Sequence, residues 1–387
     1  MSQPSSQSYD VIVIGVGGMG SATAYELAKR GKRVLGLERF DVPHEMGSSH
    51  GVSRIIRLAY YEDPSYVPLM KRAYERWREL ERETDEQVLH ITGSVDAGPE
   101  DNEVFKGSYE SCLEHGIPHE VLDHQELHKR FPGYQLPKGH YALYQEEGGL
   151  LLSERCVVNH VMAAQTHGAE IRAREQVLEW HATDDHVTVR TERGTYEAGS
   201  LVITAGAWAS HLVSGLGNRA QAERQVLGWF QPRQPDLFSP ERFPVFNLLV
   251  NEGRYYGFPV FGVPGFKIGR YHHLDEQVNP EEMDRAEIHA ADEKILRDCV
   301  ANYFPEANGA TMMLKTCIFT NSPDEHFIIG THPEHANVSF AAGFSGHGFK
   351  FCSVVGEIMS DLALQGETPL PIDLFDPKRY LEAESAV

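Results

Sequence analysis

The sequence predicts an α/β protein, α+β in its two-domain make-up: a Rossmann-like nucleotide-binding domain and a discontinuous second domain built around a mixed β-sheet. Three observations carry this. A strand–glycine–helix–strand unit opens the chain, a second glycine-rich turn leads into a helix near its end, and material of different pattern lies between.

Residues 10–14 (DVIVI) form a short continuous apolar run, the pattern of a parallel strand buried on both faces. Gly15, Gly17 and Gly20 follow with G-x-G-x-x-G spacing. In that motif the first glycine permits a tight turn, the second lets backbone approach a pyrophosphate, and the third lets helix and strand pack closely. Ala24, Leu27 and Ala28 then mark a narrow apolar helix face that Gly31 stops. The helix N-terminus offers unpaired N–H groups and a partial positive charge to phosphate. Residues 33–38 (RVLGLE) read as a second strand ending in Glu38, placed to accept hydrogen bonds from ribose hydroxyls. An acid there favours FAD or NAD over NADP, whose 2′-phosphate it would repel.

Two later features tilt the choice to FAD. Residues 201–208 read as a strand followed by Ala-Gly-Ala-Trp, a small-residue turn that can cover the cofactor again. Residues 344–351 (FSGHGFKF) form a glycine loop that begins a helix running from Ser353 to Leu364. Such an N-terminus, aimed at the pyrimidine edge of a flavin, stabilises the negative charge that reduction places there.

Between these ends, residues 64–84 carry Val67, Met70, Ala73, Trp77 and Leu80 at helical spacing, and residues 255–271 read as a hairpin. The stretch 226–247 holds aromatics and four prolines. The nucleotide-binding domain is therefore assigned to 1–85, 148–218 and 322–387, and the substrate domain to 86–147 and 219–321.

Composition narrows the function. The chain has 387 residues with Lys plus Arg 35 and Asp plus Glu 56, a net charge of −21 that repels nucleic acid. No apolar run reaches membrane-spanning length, and the start (MSQPSSQSYD) lacks a basic segment and an apolar one, so no membrane partner and a cytoplasmic location are expected. Five scattered cysteines are too few and too odd in number for a disulfide framework.

Among residues that carry chemistry, Arg54 and Arg57 stand three apart in SSHGVSRIIR, just after the second strand. Two guanidiniums beside a cofactor site in so acidic a chain point to carboxylate capture. Lys267, in GFKIG, is either an edge residue reaching water or a buried cation beside a redox centre. Cys317 (LKTCIFT) and Cys352 read locally as inert core thiols. His332 and His335, like His272 and His273, lack a convergent third ligand and read as loop or surface residues, so no metal is expected.

Together the segments DVIVIGVGGMGSATAYELAKRG, GSSHGVSRIIRLAY, YYGFP, GFKIG, LKTCIFT, DEHFIIG and AAGFSGHGFKF resemble the monomeric sarcosine oxidase family, which includes N-methyltryptophan oxidase, along essentially the whole chain. The resemblance implies FAD held covalently through its 8α-methyl group to the thiolate of Cys317. It places the substrate carboxylate on Arg57 and Lys350 and the oxygen-activating lysine at Lys267. Arg54 and His50 match residues packed by the flavin ring, Tyr256 a pocket aromatic, and Ser48, Gly346, Gly348 and Lys350 the cofactor surroundings. The chain seems one residue longer after Lys267, so the family's pocket histidine falls on His272, with Tyr271 and His273 as neighbouring candidates. Phe319 stands where sarcosine-oxidising members carry Tyr, Asn247 where they carry Met, and Ser53 where they carry Thr.

The activity implied is that of a monomeric, flavin-dependent oxidase of secondary, N-methylated amino acids such as sarcosine. It would pass a hydride equivalent to FAD and then electrons to O2, giving an imine, hydrolysed to aldehyde plus amine, and H2O2. Alternatives within the same chemistry are N-methyltryptophan, pipecolate or a glycated amino acid as substrate. The alternative of another class is an NAD-dependent dehydrogenase on the same nucleotide-binding start.

Overall fold

The computed structural model describes residues 8–381; the Ser/Gln-rich start of the chain, in residues 1–7, lies outside them. Strand β1 (Ser8–Ile14) runs into helix α1 (Gly18–Lys29), and strand β2 (Val34–Leu37) returns parallel to β1. The strands Thr195–Ile203 and His335–Ala342 extend this parallel sheet on one side of β1, and Glu170–Arg172 extends it beyond β2. Both faces are covered, which is why DVIVI is a continuous apolar run rather than an alternating one.

α1 carries more than the narrow apolar face read from its spacing. All its residues from Gly20 to Ala28 are buried. The reason is tertiary: the helices Ser153–Thr166 and Cys352–Gln365 both pack against it. A Cβ on Gly356 would meet the backbone of Ala22 at 2.6 Å, so the two helices cross at near-backbone contact.

The glycine motif behaves as its chemistry requires. Gly15 has φ +87°. A Cβ on Gly20 would lie 1.8 Å from the Gly15 carbonyl oxygen, a clash with backbone that no rotamer relieves. Gly20→Ala is expected to cost at least about 1–3 kcal/mol as an overpacked contact, read as a lowered Tm together with loss of bound flavin. A Cβ on Gly17 would instead touch nothing closer than Ser49 Oγ at 3.8 Å, leaving that backbone open to a ligand.

A second sheet of eight strands is mixed. Its order runs Thr311–Asn321, Gln221–Phe230, Phe266–Arg270, Gly253–Phe258, Val245–Val250, Ser94–Pro99, His140–Gln145, Glu120–Asp123. Gln221–Phe230 is a ten-residue strand in a region where sequence showed mainly aromatics and prolines; its non-local pairings on both sides decide its conformation. Alternation gives this sheet two faces. Val95, Phe246, Tyr255, Phe266 and Ile268 point into an aromatic core under the helix Ala290–Tyr303. The opposite face presents register rows that include Asp96–Asn247–Tyr256–Gly269 and Phe258–Lys267–Trp229. Cys317, opposite Gln225, belongs to the same face.

The second glycine loop also differs in detail from its sequence reading. A 3-10 turn, Phe349–Phe351, precedes the α-helix that starts at Cys352, so Gly346 and Gly348 sit in the loop before it. His332 is buried at the end of a strand rather than exposed, its Nδ1 accepting from the backbone N–H of Glu334. Among the described residues no helix is long and apolar enough to cross a membrane.

Candidate active site

A cleft enclosing about 1550 Å³ of empty space runs from the glycine motif to the second sheet. Gly15, Gly17, Glu38, Ser48, Arg54, Gly346 and Gly348 all line it, as do Ala205–Trp208 of the small-residue turn. Glu38 is buried at the strand end. Its Oε2 accepts from Val16 N–H at 2.8 Å and its Oε1 from Phe40 N–H at 3.0 Å. Burial works against its ionisation, but His44 and these two backbone donors hold the carboxyl below its ordinary range. The N-cap of α1 is Gly17, which has no side chain to satisfy the first-turn N–H groups. The cleft thus combines an ionised acid, a helix N-terminus whose Gly18 N–H is held only by Ser49 Oγ from another loop, and a glycine with room beside it, a set that suits an ADP moiety.

Two orphaned groups mark where this cleft meets the second sheet. Thr320 Oγ1, on the cleft wall, has no hydrogen-bond partner. Neither ring nitrogen of His50, fully buried, has one. Burial, followed by the cations of Arg54 and Lys315, brings the His50 imidazole down to about 3, so it is neutral. A polar ring system fitted into the cleft would supply the partner that Thr320 lacks; unsatisfied buried groups are otherwise costly.

Around this junction Arg54 is fixed by its own neighbours, donating to the carbonyls of Ser48 at 2.7 Å and Ser53 at 2.9 Å. Its Nη2 also lies 3.6 Å from Cys317 Sγ. Ser48 Oγ donates to Ile318 O at 2.6 Å, tying the loop to the cysteine strand. Lys267 is a buried cation, not an edge residue. Its Nζ donates to Gly51 O at 2.8 Å, Ser53 O at 2.7 Å and Ser53 Oγ at 3.1 Å, and it stands 4.1 Å from the Phe258 ring centroid. Burial, then Arg54, pushes its ammonium well below the ordinary lysine range.

Arg57 and Lys350, on which the resemblance places the substrate carboxylate, pack against one ring. Arg57, 1% exposed, lies 4.5 Å from the Tyr60 ring centroid, and Lys350 Nζ lies 5.3 Å from the same centroid. Lys350 donates to His347 O at 2.8 Å; burial and Arg57 bring it down to about 7, with Glu62 and Asp96 acting in the other direction. Arg57 Nη2 donates to both oxygens of Glu62, at 2.9 and 2.7 Å, and Nη1 donates to Ala59 O. Burial disfavours the Glu62 charge, but Arg57, His347 and Lys350 together outweigh it and hold the acid at about 2. Sequence reading did not single out Glu62, although its place five residues after Arg57 in an acidic loop was the available signal.

Of the three candidates for the pocket position after Lys267, the structure turns Tyr271 inward. Its ring packs 5.2 Å from Tyr256 and 5.8 Å from Phe319. His272 has φ +50° and bridges Glu223 at 2.9 Å and Glu325 at 3.1 Å, which raise it to about 9. His273 is fully buried against Asp292 at 3.1 Å, and burial lowers it to about 4. All three residues lie in the turn after the strand Phe266–Arg270, where His272 takes a left-handed conformation.

Comparison with known proteins agrees with this geometry. Residues 10–362 match the model of the FAD dependent oxidoreductase family. The chain is 45% identical over 383 residues to a monomeric sarcosine oxidase of Streptomyces avermitilis, covering 98% of this chain and 99% of that protein. It is 34% identical over 373 residues to an N-methyl-L-tryptophan oxidase of Salmonella enteritidis, covering 96% and 99%. Among solved structures it superimposes on NikD, an amino acid oxidase essential for nikkomycin biosynthesis, with TM-score 0.84 and 25% identity over 96% of this chain and 98% of that one. By this match over nearly its whole length, the chain belongs to the FAD dependent oxidoreductase family, among the monomeric sarcosine and N-methyltryptophan oxidases.

Proposed function

We propose that this protein is an FAD-dependent oxidase of secondary, N-methylated amino acids such as sarcosine, and that it holds its flavin covalently at Cys317. The observation that carries the reading is that Arg57 and Lys350 are both buried against the Tyr60 ring, 4.5 and 5.3 Å from its centroid. Two such cations suit a carboxylate.

When bound, FAD supplies the acceptor for a hydride equivalent and the route for electrons to O2. The chain supplies position and charge. Arg57 and Lys350 hold the substrate carboxylate, which fixes the amine in one orientation. The carboxylate must displace Glu62 from the guanidinium edge, and it does so because it brings the same bidentate geometry. Tyr256 and Tyr271 make an apolar aromatic wall that excludes water and favours the unprotonated amine, whose lone pair the oxidation requires. Lys267 provides a fixed cation for the negative charge that develops on oxygen. Arg54, with Nη2 3.6 Å from Sγ, places a guanidinium beside the cysteine that would carry the covalent bond to the flavin.

Two further properties belong to the reading: a working monomer, as the name of the Streptomyces protein states for that protein, and a small amino acid and O2 as partners, with water hydrolysing the imine. The reading is tested by a panel of sarcosine, N-methyltryptophan, pipecolate and fructosyl-glycine, followed by peroxide release and anaerobic flavin bleaching. Turnover of sarcosine or another N-methyl amino acid is expected. No bleaching by any of them, with activity appearing only on addition of NAD, would place the protein among dehydrogenases instead. Arg57→Met is expected to raise KM about 10²-fold, the loss of one charge-assisted bidentate contact.

A further inference from the structure

Asp96 has no solvent exposure and lies on the active-site face of the second sheet, in register with Asn247 and, through it, Tyr256. Its Oδ1 accepts from Asn247 Nδ2 at 2.7 Å and its Oδ2 from Ser108 Oγ at 2.8 Å, so the carboxylate is held from both sides. Arg57 Nε stands 3.8 Å from Oδ1 and has no hydrogen-bond partner of its own. Glu62 grips the other edge of the same guanidinium from a loop. Two anions thus hold Arg57: one fixed in a sheet, the other on a segment without regular structure.

We propose that Asp96 is a positioning residue of the carboxylate pocket: it is the counter-ion that stays on Arg57 when substrate replaces Glu62, and it limits substrates to N-substituted amino acids with a single carboxylate. This rests on the assignment of Arg57 and Lys350 as the carboxylate site. The argument is a charge count. Arg57 and Lys350 face Glu62 and Asp96, all of them buried or nearly so. Exchanging Glu62 for one substrate carboxylate keeps two cations against two anions. A second carboxylate on the substrate adds a third anion with no partner in an interior that water does not reach, which is strongly disfavoured. With Asp96 uncharged, that third anion would meet a spare cation.

Asp96 also acts on Lys350, whose charged and titratable neighbours are Arg57, Glu62, Asp96 and His347. Its negative charge favours the ammonium, so removing it moves the loss of that ammonium, and with it carboxylate affinity, to lower pH.

The test uses the flavin-loaded enzyme, with binding read from perturbation of the flavin spectrum by two inert probes, propionate and malonate. Wild type is expected to bind propionate roughly tenfold or more tighter than malonate, as for a like charge several ångström away in a partly screened interior. Asp96→Asn should bring the two affinities close to equal and lower the pH at which propionate affinity is lost. In turnover, it should raise kcat/KM for N-methylaspartate relative to N-methylalanine. The double variant Asp96→Val/Asn247→Met, which replaces the polar pair by an apolar one without orphaning the amide, should do the same if Asp96→Asn does not fold. An unchanged propionate-to-malonate ratio and pH midpoint, even with both probes binding more weakly, would overturn the proposal. Wild-type propionate affinity in Arg57→Met would instead overturn the carboxylate site on which it rests.

Discussion

Lys267→Met is expected to slow reoxidation of reduced flavin by O2 about 10²–10³-fold, the scale on which a preorganised charge or donor at a developing anion contributes. Flavin reduction by the amine should change little. The asymmetry follows from where charge appears. Electron transfer to oxygen creates a small anion, and Nζ is already fixed by two carbonyls and a hydroxyl, so no reorganisation precedes the stabilisation. Methionine keeps the volume against Phe258 but removes the charge. The pH dependence has a definite sign. Burial and Arg54 depress the Lys267 pKa, so the cation is present below that depressed value and lost as pH rises through it. Wild-type reoxidation should therefore slow with rising pH, well before an ordinary lysine would titrate, whereas Lys267→Met should be flat across the same range. Stopped-flow traces with both half-reactions slowed equally would remove Lys267 from the oxygen step.

Cys317→Ser is expected to convert flavin retained in acid-precipitated protein into flavin released to the supernatant, an all-or-none change. Sγ is buried on the active-site face, the next two residues, Ile318 and Phe319, line the flavin cleft, and Arg54 is the nearest cation to the sulfur in hydrogen-bond range. The other four cysteines are buried as well, Cys352 among them on the cleft wall, and burial raises the thiols of Cys112, Cys156, Cys299 and Cys352. A raised thiol is a poor nucleophile. Mass spectrometry should find the flavin adduct on the peptide that contains Cys317 and on none of the others. Free flavin in the wild-type supernatant would contradict the covalent assignment.

Much of the nucleotide site was legible in the chain because its determinants are local. Gly15, Gly17, Gly20 and Glu38 fall within one strand–helix–strand unit, where turn sterics and helix spacing fix geometry from sequence alone. The pairing of Arg57 with Glu62 is nearly as local, yet it went unread, because a loop carries no periodicity to place one side chain against another. The substrate side is different in kind. Whether Lys267 reaches water or lies buried was open in the sequence, since an apolar strand allows either; its burial under Gly51 and Ser53 comes from a loop more than two hundred residues away. Tyr271 rather than His272 packs against Tyr256 and Phe319 because both lie in a turn after the strand Phe266–Arg270, where the left-handed backbone at His272 sends its ring to Glu223 and Glu325. Asp96 and Asn247 meet only because the strand Ser94–Pro99 pairs parallel with Val245–Val250. Sequence by itself therefore determined the family, the cofactor-binding turn and the cations Arg57, Lys267 and Lys350, but not the acids Glu62 and Asp96 that face Arg57. Tertiary structure alone decided which of those charges face one another, because β-pairing between distant segments has no local signature.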